Sequence, residues 1–417
     1  MRVSRTVIPA ALGLLLAATL HPAGAQAPLG RLTLDEAVAL AARANPTLRA
    51  KQFEYQAVGA NEITAGLRPN PTASFLAEQF GGASSASQTQ YTFSVGQPIE
   101  LGGKRQRRIE SARAATRVTG HELDDVRRQI GFQVKKAFTD ALVAREGLGL
   151  AEQNLQTLDE LQRIQRVRAE KGDISELELL RIEVQRFALE RDAVDARQAL
   201  RAARVALRSA IGPDRVAEDF DVVGELTVRD VALEASDLYR RALDNRPDLR
   251  AAEAARQKAR ADAGLARANA WWDVTPQIGY QRIGPDNTIG FGISLPLRIF
   301  DRNQGEIVRT RAEAQRVDAA REAVAVQVLS EVDTVLAALR SERQKLNRLR
   351  DVYLPKARQV RDTVEFAYRR GGINLLDFLE AQRAYRDTTS EYVRSLGGYW
   401  TSYYQLEAAV GGSLGEN

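Results

Sequence analysis

Reactive chemistry draws on a short set of side chains, and this 417-residue chain holds few of them. It has no cysteine, one methionine (Met1) and two histidines, His21 and His121. Soft and borderline metals prefer thiolate, thioether and imidazole ligands, so neither a resident metal nor a cofactor is expected. His121 reads as an ordinary helix-surface residue. Gly102-Gly-Lys-Arg looks superficially like a phosphate loop. It lacks the earlier glycine at the required spacing and the Ser or Thr that should follow the lysine. The 54 acidic residues form no recognisable catalytic constellation. The expectation is a conduit rather than an enzyme.

The termini and the charge balance set the compartment. Arg2 and Arg5 precede an apolar run from Val7 to Leu20, and the A-x-A pattern Ala23-Gly-Ala25 follows. This is the form of a secretory signal covering residues 1–25, with an apolar run too short to span a bilayer. No lipobox cysteine is present, so no lipid anchor is expected. Without that segment 57 basic residues face 54 acidic ones. Charges of both signs spread along helices suggest solvated faces and no nucleic-acid footprint.

The elements repeat. Asn45-Pro-Thr-Leu-Arg-Ala lines up with Arg246-Pro-Asp-Leu-Arg-Ala, Tyr91–Ile99 with Ile289–Leu297, and Gly172–Leu180 with Gly371–Leu379, all at offsets of about two hundred residues. An internal duplication of this kind decides the architecture before any motif does. The first repeat, residues 26–225, reads as a helix from Thr33 to about Leu67, a β-hairpin at 72–99, a long helix at 104–171 and a returning helix at 175–211. The second, residues 226–417, reads as a helix at 233–270, a hairpin at 274–297, a long helix at 302–370 and a returning helix at 374–410. A helix from 104 to 171 measures about 100 Å at 1.5 Å per residue. Typical globular helices run about 8–20 residues. In each repeat the two shorter helices placed end to end match the long one, so the chain implies four rods, two continuous and two broken. Val332, Val335, Leu339, Leu346, Leu349 and Tyr353 keep a coiled-coil rhythm, and Pro355 predicts a break near Leu354.

The strands separate a scaffold from a channel. Ile289, Phe291, Ile293, Leu295 and Leu297 alternate with Gly290, Gly292, Ser294 and Pro296; Tyr91, Phe93 and Val95 alternate with Thr92, Ser94 and Gly96. Strands of about ten residues suit a tilted membrane β-strand, and Trp271 and Trp272 suit an interfacial aromatic belt. Four strands cannot close a barrel, and an open edge in lipid is not tolerated. Identical copies must therefore pool strands, and two, three or four copies satisfy the geometry equally.

With its duplicated plan, these strands and these rods, the chain resembles the TolC family of outer-membrane efflux channels over nearly all of its length. Arg68-Pro-Asn-Pro71 and Gln97-Pro-Ile-Glu-Leu-Gly-Gly-Lys-Arg105 are similar to the CzcC-like, heavy-metal efflux subgroup. The resemblance implies a mainly α fold with a small β part: a homotrimer with a twelve-stranded barrel in the outer membrane, a helical tunnel in the periplasm and a mixed equatorial region. It implies the passive exit duct of a tripartite pump, working with a periplasmic adaptor protein and an inner-membrane transporter of the RND type. Divalent metal cations are the first cargo expected; a multidrug or type I secretion channel is the alternative, and a periplasmic coiled-coil scaffold without a pore the second. Carried over by motif, Gly172 with Leu177 and Gly371 with Leu376 become the adaptor-docking tips. Asp377 and Glu380 take positions that line the pore entrance, where a ring of carboxylates attracts cations. Glu178 and Tyr368 fall where the family places a gate-holding hydrogen bond, although Ile373 replaces a polar residue near that gate.

Overall fold

The computed structural model describes residues 29–79, 89–172, 174–228 and 234–415. The expected signal segment and the tip of the first hairpin lie outside the described residues. In chain order the elements are β1 (Leu29–Leu32), α1 (Leu34–Ala44), α2 (Pro46–Gly66), β2 (Thr72–Glu78), β3 (Gln90–Gly96), α3 (Lys104–Glu170), α4 (Glu176–Ile211) and β4 (Val216–Val222). Then come α5 (Ala235–Asn245), α6 (Pro247–Ala268), β5 (Thr275–Ile283), β6 (Asp286–Ser294), α7 (Gln304–Arg348), α8 (Leu354–Arg369) and α9 (Leu375–Val410).

The first helix of each repeat is shorter than its periodicity suggests, because the aligned prolines open it. Thr33 caps α1 with a full capping box to Glu36. The chain then leaves helical geometry at Asn45 and at Arg246, each at φ near −60° with an extended ψ, before Pro46 and Pro247 restart it. A residue before proline is driven out of the α region in this way. The same residues tie the broken rods together. Asn45 Nδ2 donates to Ala210 O at 2.7 Å, joining α2 to the end of α4. Arg246 Nη1 donates to Ala409 O at 3.3 Å, joining α6 to the end of α9.

The continuous rods are α3, of 67 residues and about 100 Å, and the α7–α8 rod. The second is interrupted by a π-helical turn at Leu349–Tyr353, immediately before Pro355. The wider turn accommodates the missing proline N–H without ending the rod. It also ends the apolar stripe: Val332, Val335, Leu339 and Leu346 are buried, whereas Tyr353 is exposed.

Three buried clusters lie along the rods. One gathers Leu32, Phe138, Leu142, Leu207 and Phe220 around α1, α3 and α4; a second gathers Val332, Leu339, Trp400 and Tyr403 between α7 and α9; a third, smaller one sits at the turn end. A parallel pair, β1 with β4, packs Leu32, Val216 and Val222 into the first cluster near the middle of the rods. Residue pattern alone did not reveal that pair. The remaining strands form one antiparallel sheet in the order β2-β3-β5-β6.

Candidate functional site: sheet faces, strand-to-helix junction and tip turns

Register turns the strand alternation into two faces. Across the sheet Phe75 pairs with Phe93, Phe93 with Tyr280, and Tyr280 with Ile289; one step along, Val95 pairs with Ile278 and Ile278 with Phe291. The other face carries Ser74, Ser94, Gly279 and Gly290, and then Gly96, Gln277 and Gly292. The apolar face is exposed, with Phe291 at 83% and Phe75 at 67%. Among the described residues no helix is long and apolar enough to cross a membrane. Strand β2 alternates poorly, since Leu76, opposite Thr92, lies on the hydroxyl- and amide-bearing face.

Where sheet becomes rod, Gly102-Gly-Lys-Arg builds a junction. Gly102 and Gly103 both adopt φ near +70°, a left-handed conformation that disfavours side chains. Trp271 lies so close to Gly102 that a Cβ there would meet its ring at 2.7 Å. Lys104, only 5% exposed, reaches Asp273 at 2.7 Å, and the same carboxylate accepts the Leu101 N–H at 3.1 Å. Arg108 pairs with Glu100 and donates to Leu67 O at 3.0 Å. Trp271 and Trp272 are both exposed in part, at 58% and 40%. Sequence reasoning found these glycines and tryptophans but missed the Lys104–Asp273 pair. Its signal was an acid directly after Trp-Trp and a lysine directly after Gly-Gly.

At the far end the rods turn twice in the same way. Gly172 (φ 77°) and Gly371 (φ 75°) close α3 and α8. Ser175 Oγ then accepts the Glu178 N–H at 3.4 Å, and Asn374 Oδ1 accepts the Asp377 N–H at 3.0 Å, capping α4 and α9. Leu158, Ile182, Leu189, Tyr368, Leu375 and Phe378 pack beneath the turns. Tyr368 stacks on Phe378 with centroids 4.9 Å apart. Burial pushes the Tyr368 phenol above its usual value; the Arg168 charge opposes this, the Glu178 charge adds to it, and a Gln165 hydrogen bond lowers it again. Glu178 thus stands near Tyr368, but no hydrogen bond joins the two within the chain. Leu177 and Leu376 are exposed at the two turns, as are Asp377 and Glu380 on the first turns of α9. Among the described residues no group of three or more His, Cys, Asp or Glu side chains converges to hold a metal ion.

Comparison with known proteins fits this geometry. The family model for the outer membrane efflux protein matches residues 37–213 and 238–412, one segment in each repeat. The cobalt-zinc-cadmium resistance protein CzcC of Cupriavidus metallidurans is 28% identical over 92% of this chain and 90% of its own. The nickel-cobalt-cadmium resistance protein NccC of Alcaligenes xylosoxydans xylosoxydans is 30% identical over 74% of this chain and 68% of its own. Among solved structures, the open state of the Neisseria gonorrhoeae MtrE outer membrane channel superposes with a TM-score of 0.77 at 20% identity, covering 91% of this chain and 89% of that one. With both repeats matched and the sheet and rods in place, this chain belongs to the outer membrane efflux protein family.

Proposed function

We propose that this protein is the outer-membrane exit duct of a tripartite pump that removes divalent metal cations. The observation that carries the reading is the four-stranded sheet with one largely exposed apolar face and one hydroxyl-, amide- and glycine-bearing face. Such a sheet suits lipid on one side and a water-filled lumen on the other. Its two edge strands need partners in a bilayer, and three copies close a twelve-stranded barrel. The rods extend the lumen through the periplasm. Energy is spent at an inner-membrane transporter of the RND type, and a periplasmic adaptor bridges the two.

Within this reading Gly172, Leu177, Gly371 and Leu376 form the adaptor-docking tips. Asp377 and Glu380 ring the entrance, and Glu178 with Tyr368 belongs to the gate. Trp271 and Trp272 sit at the membrane interface. Metal resistance is what the names of two relatives state, and it sets the cargo above a multidrug or type I secretion role. Deleting the gene and challenging cells with zinc, cobalt, cadmium and nickel salts tests the cargo: sensitivity to metals but not to organic toxins supports the reading. The purified protein, reconstituted into planar bilayers, should give discrete conductance steps. Release of the protein from cells without detergent would instead favour a poreless scaffold.

A further inference from the structure

Two adjoining cavities open where α3 meets α9, beside the tip cluster. Both are lined by Asn154 and Thr157 of α3 and by Gln382 and Arg386 of α9. One narrows toward Leu158, Leu189 and Phe378, which belong to the tip cluster. The other, of about 250 Å³, adds Arg361 of α8 and Tyr385 of α9. That is far more room than an ordered water needs. Helix α3 packs on both α4 and α9, and α9 also packs on α8. The space therefore sits in the seam between packed helices of one protomer, not on a lone helix face.

Arg386 is the unexplained group in this seam. Its guanidinium is half-buried and makes no hydrogen bond or ion pair among the described residues. The half-buried side-chain amides of Asn154 and Gln382 make no hydrogen bond there either. Buried polar groups are usually paired, and an exception calls for a reason. The nearby acids are already engaged elsewhere. Asp387 pairs with Arg383 at 3.7 Å, Asp192 with Arg191 at 3.0 Å, and Glu365, which lines the larger cavity, with Arg369. Burial pushes the Arg386 guanidinium below its usual value; the charges of Asp387 and Asp192 oppose this, and that of Arg383 adds to it. In the same cavity Arg361 stacks over the Tyr385 ring, 4.1 Å from its centroid, and donates to Asp362 at 2.8 Å.

We propose that this seam binds a small oxyanion carrying two or more negative charges, held by the Arg386 guanidinium and the amides of Asn154 and Gln382, with Arg361 supplying a second positive charge. A guanidinium fork matches the paired oxygens of a carboxylate or a phosphate, and the amides add N–H donors. Bound there, the anion ties α9 to α3 and α8. The adjoining cavity reaches Phe378, whose ring stacks on Tyr368, so occupancy stiffens the tip cluster. The site goes beyond the channel reading and does not depend on it.

The test uses the purified full chain in mild detergent, with chloride as the background anion. Citrate and phosphate are titrated at constant ionic strength, which removes general screening, and acetate serves as the single-charge control. Citrate or phosphate should raise the melting temperature saturably, acetate should do so far less, and amide exchange should slow in α9 around Gln382 and Arg386. A stronger response to citrate assigns the site to polycarboxylates; a stronger response to phosphate assigns it to phosphate compounds. Arg386→Met should weaken binding about tenfold or more. Arg394→Ala, further along the same helix and paired with Glu391, should leave it unchanged. In chloride alone Arg386→Met should melt no lower than the unaltered protein, because an unpaired half-buried charge is removed. A lower melt there, with no response of the unaltered protein to either anion, would mean that a carboxylate of a second copy holds Arg386, and would overturn the site. So would a response that Arg386→Met retains in full. Either result leaves the channel reading intact.

Discussion

Single residues set the strand-to-helix junction and the tip turns. Gly102 is held at φ +69° with Trp271 against it, so Gly102→Ala meets two obstacles. The left-handed backbone costs about 1–2 kcal/mol for a residue with a Cβ, and overpacking against the indole adds about 1–3 kcal/mol. The expected outcome is a lower dissociation temperature of the oligomer on unboiled gels. Gly172→Ala has open space around it and should cost only the backbone part. The acids proposed for the entrance make an electrical prediction. Asp377→Ala with Glu380→Ala should weaken cation over anion selectivity, read from reversal potentials in bilayers under a salt gradient. Unchanged selectivity would remove those two residues from the entrance.

At the scale of elements, the ties between rods carry the pH dependence. Burial pushes the Asp248 carboxyl up, but hydrogen bonds from Arg246 and its charge outweigh this, leaving the carboxyl below its usual range. Arg246 also reaches Glu331 on α7 and the end of α9. A depressed carboxyl contributes stability that is complete above its unfolded value, about 4, and that is lost as pH falls through the folded value. Acid should therefore loosen the α6–α7–α9 junction, and Asp248→Asn should flatten that pH slope in thermal melts. In the tip cluster, Phe378→Ala removes the partner of Tyr368. It should cost about 3–5 kcal/mol locally, seen as faster amide exchange in α8 and α9 with the sheet unchanged. Rods, strands and turns were legible in the sequence because period and glycine placement are local signals. The breaks at Asn45 and Arg246 were written in the prolines that also revealed the repeat, yet each helix looked continuous because its apolar pattern resumes beyond the break. The β1–β4 pair joins Leu29–Leu32 to Val216–Val222 across the whole first repeat, a distance no local pattern spans. The Lys104–Asp273 tie was hidden for the same reason.

The whole molecule is an open wall, and its function depends on what covers its faces and edges. Residues such as Phe75, Phe93, Ile278 and Phe291 form a continuous apolar face on an unclosed sheet, a surface that water does not suit. In lipid that face is satisfied, and the two unpaired edges, on β2 and β6, then call for identical neighbours. The native mass of the protein extracted from outer membranes in mild detergent tests this most directly. The account predicts three protomers per particle, with nothing released by salt or alkaline washing alone; a monomer that leaves the membrane without detergent and stays dispersed in water would contradict it.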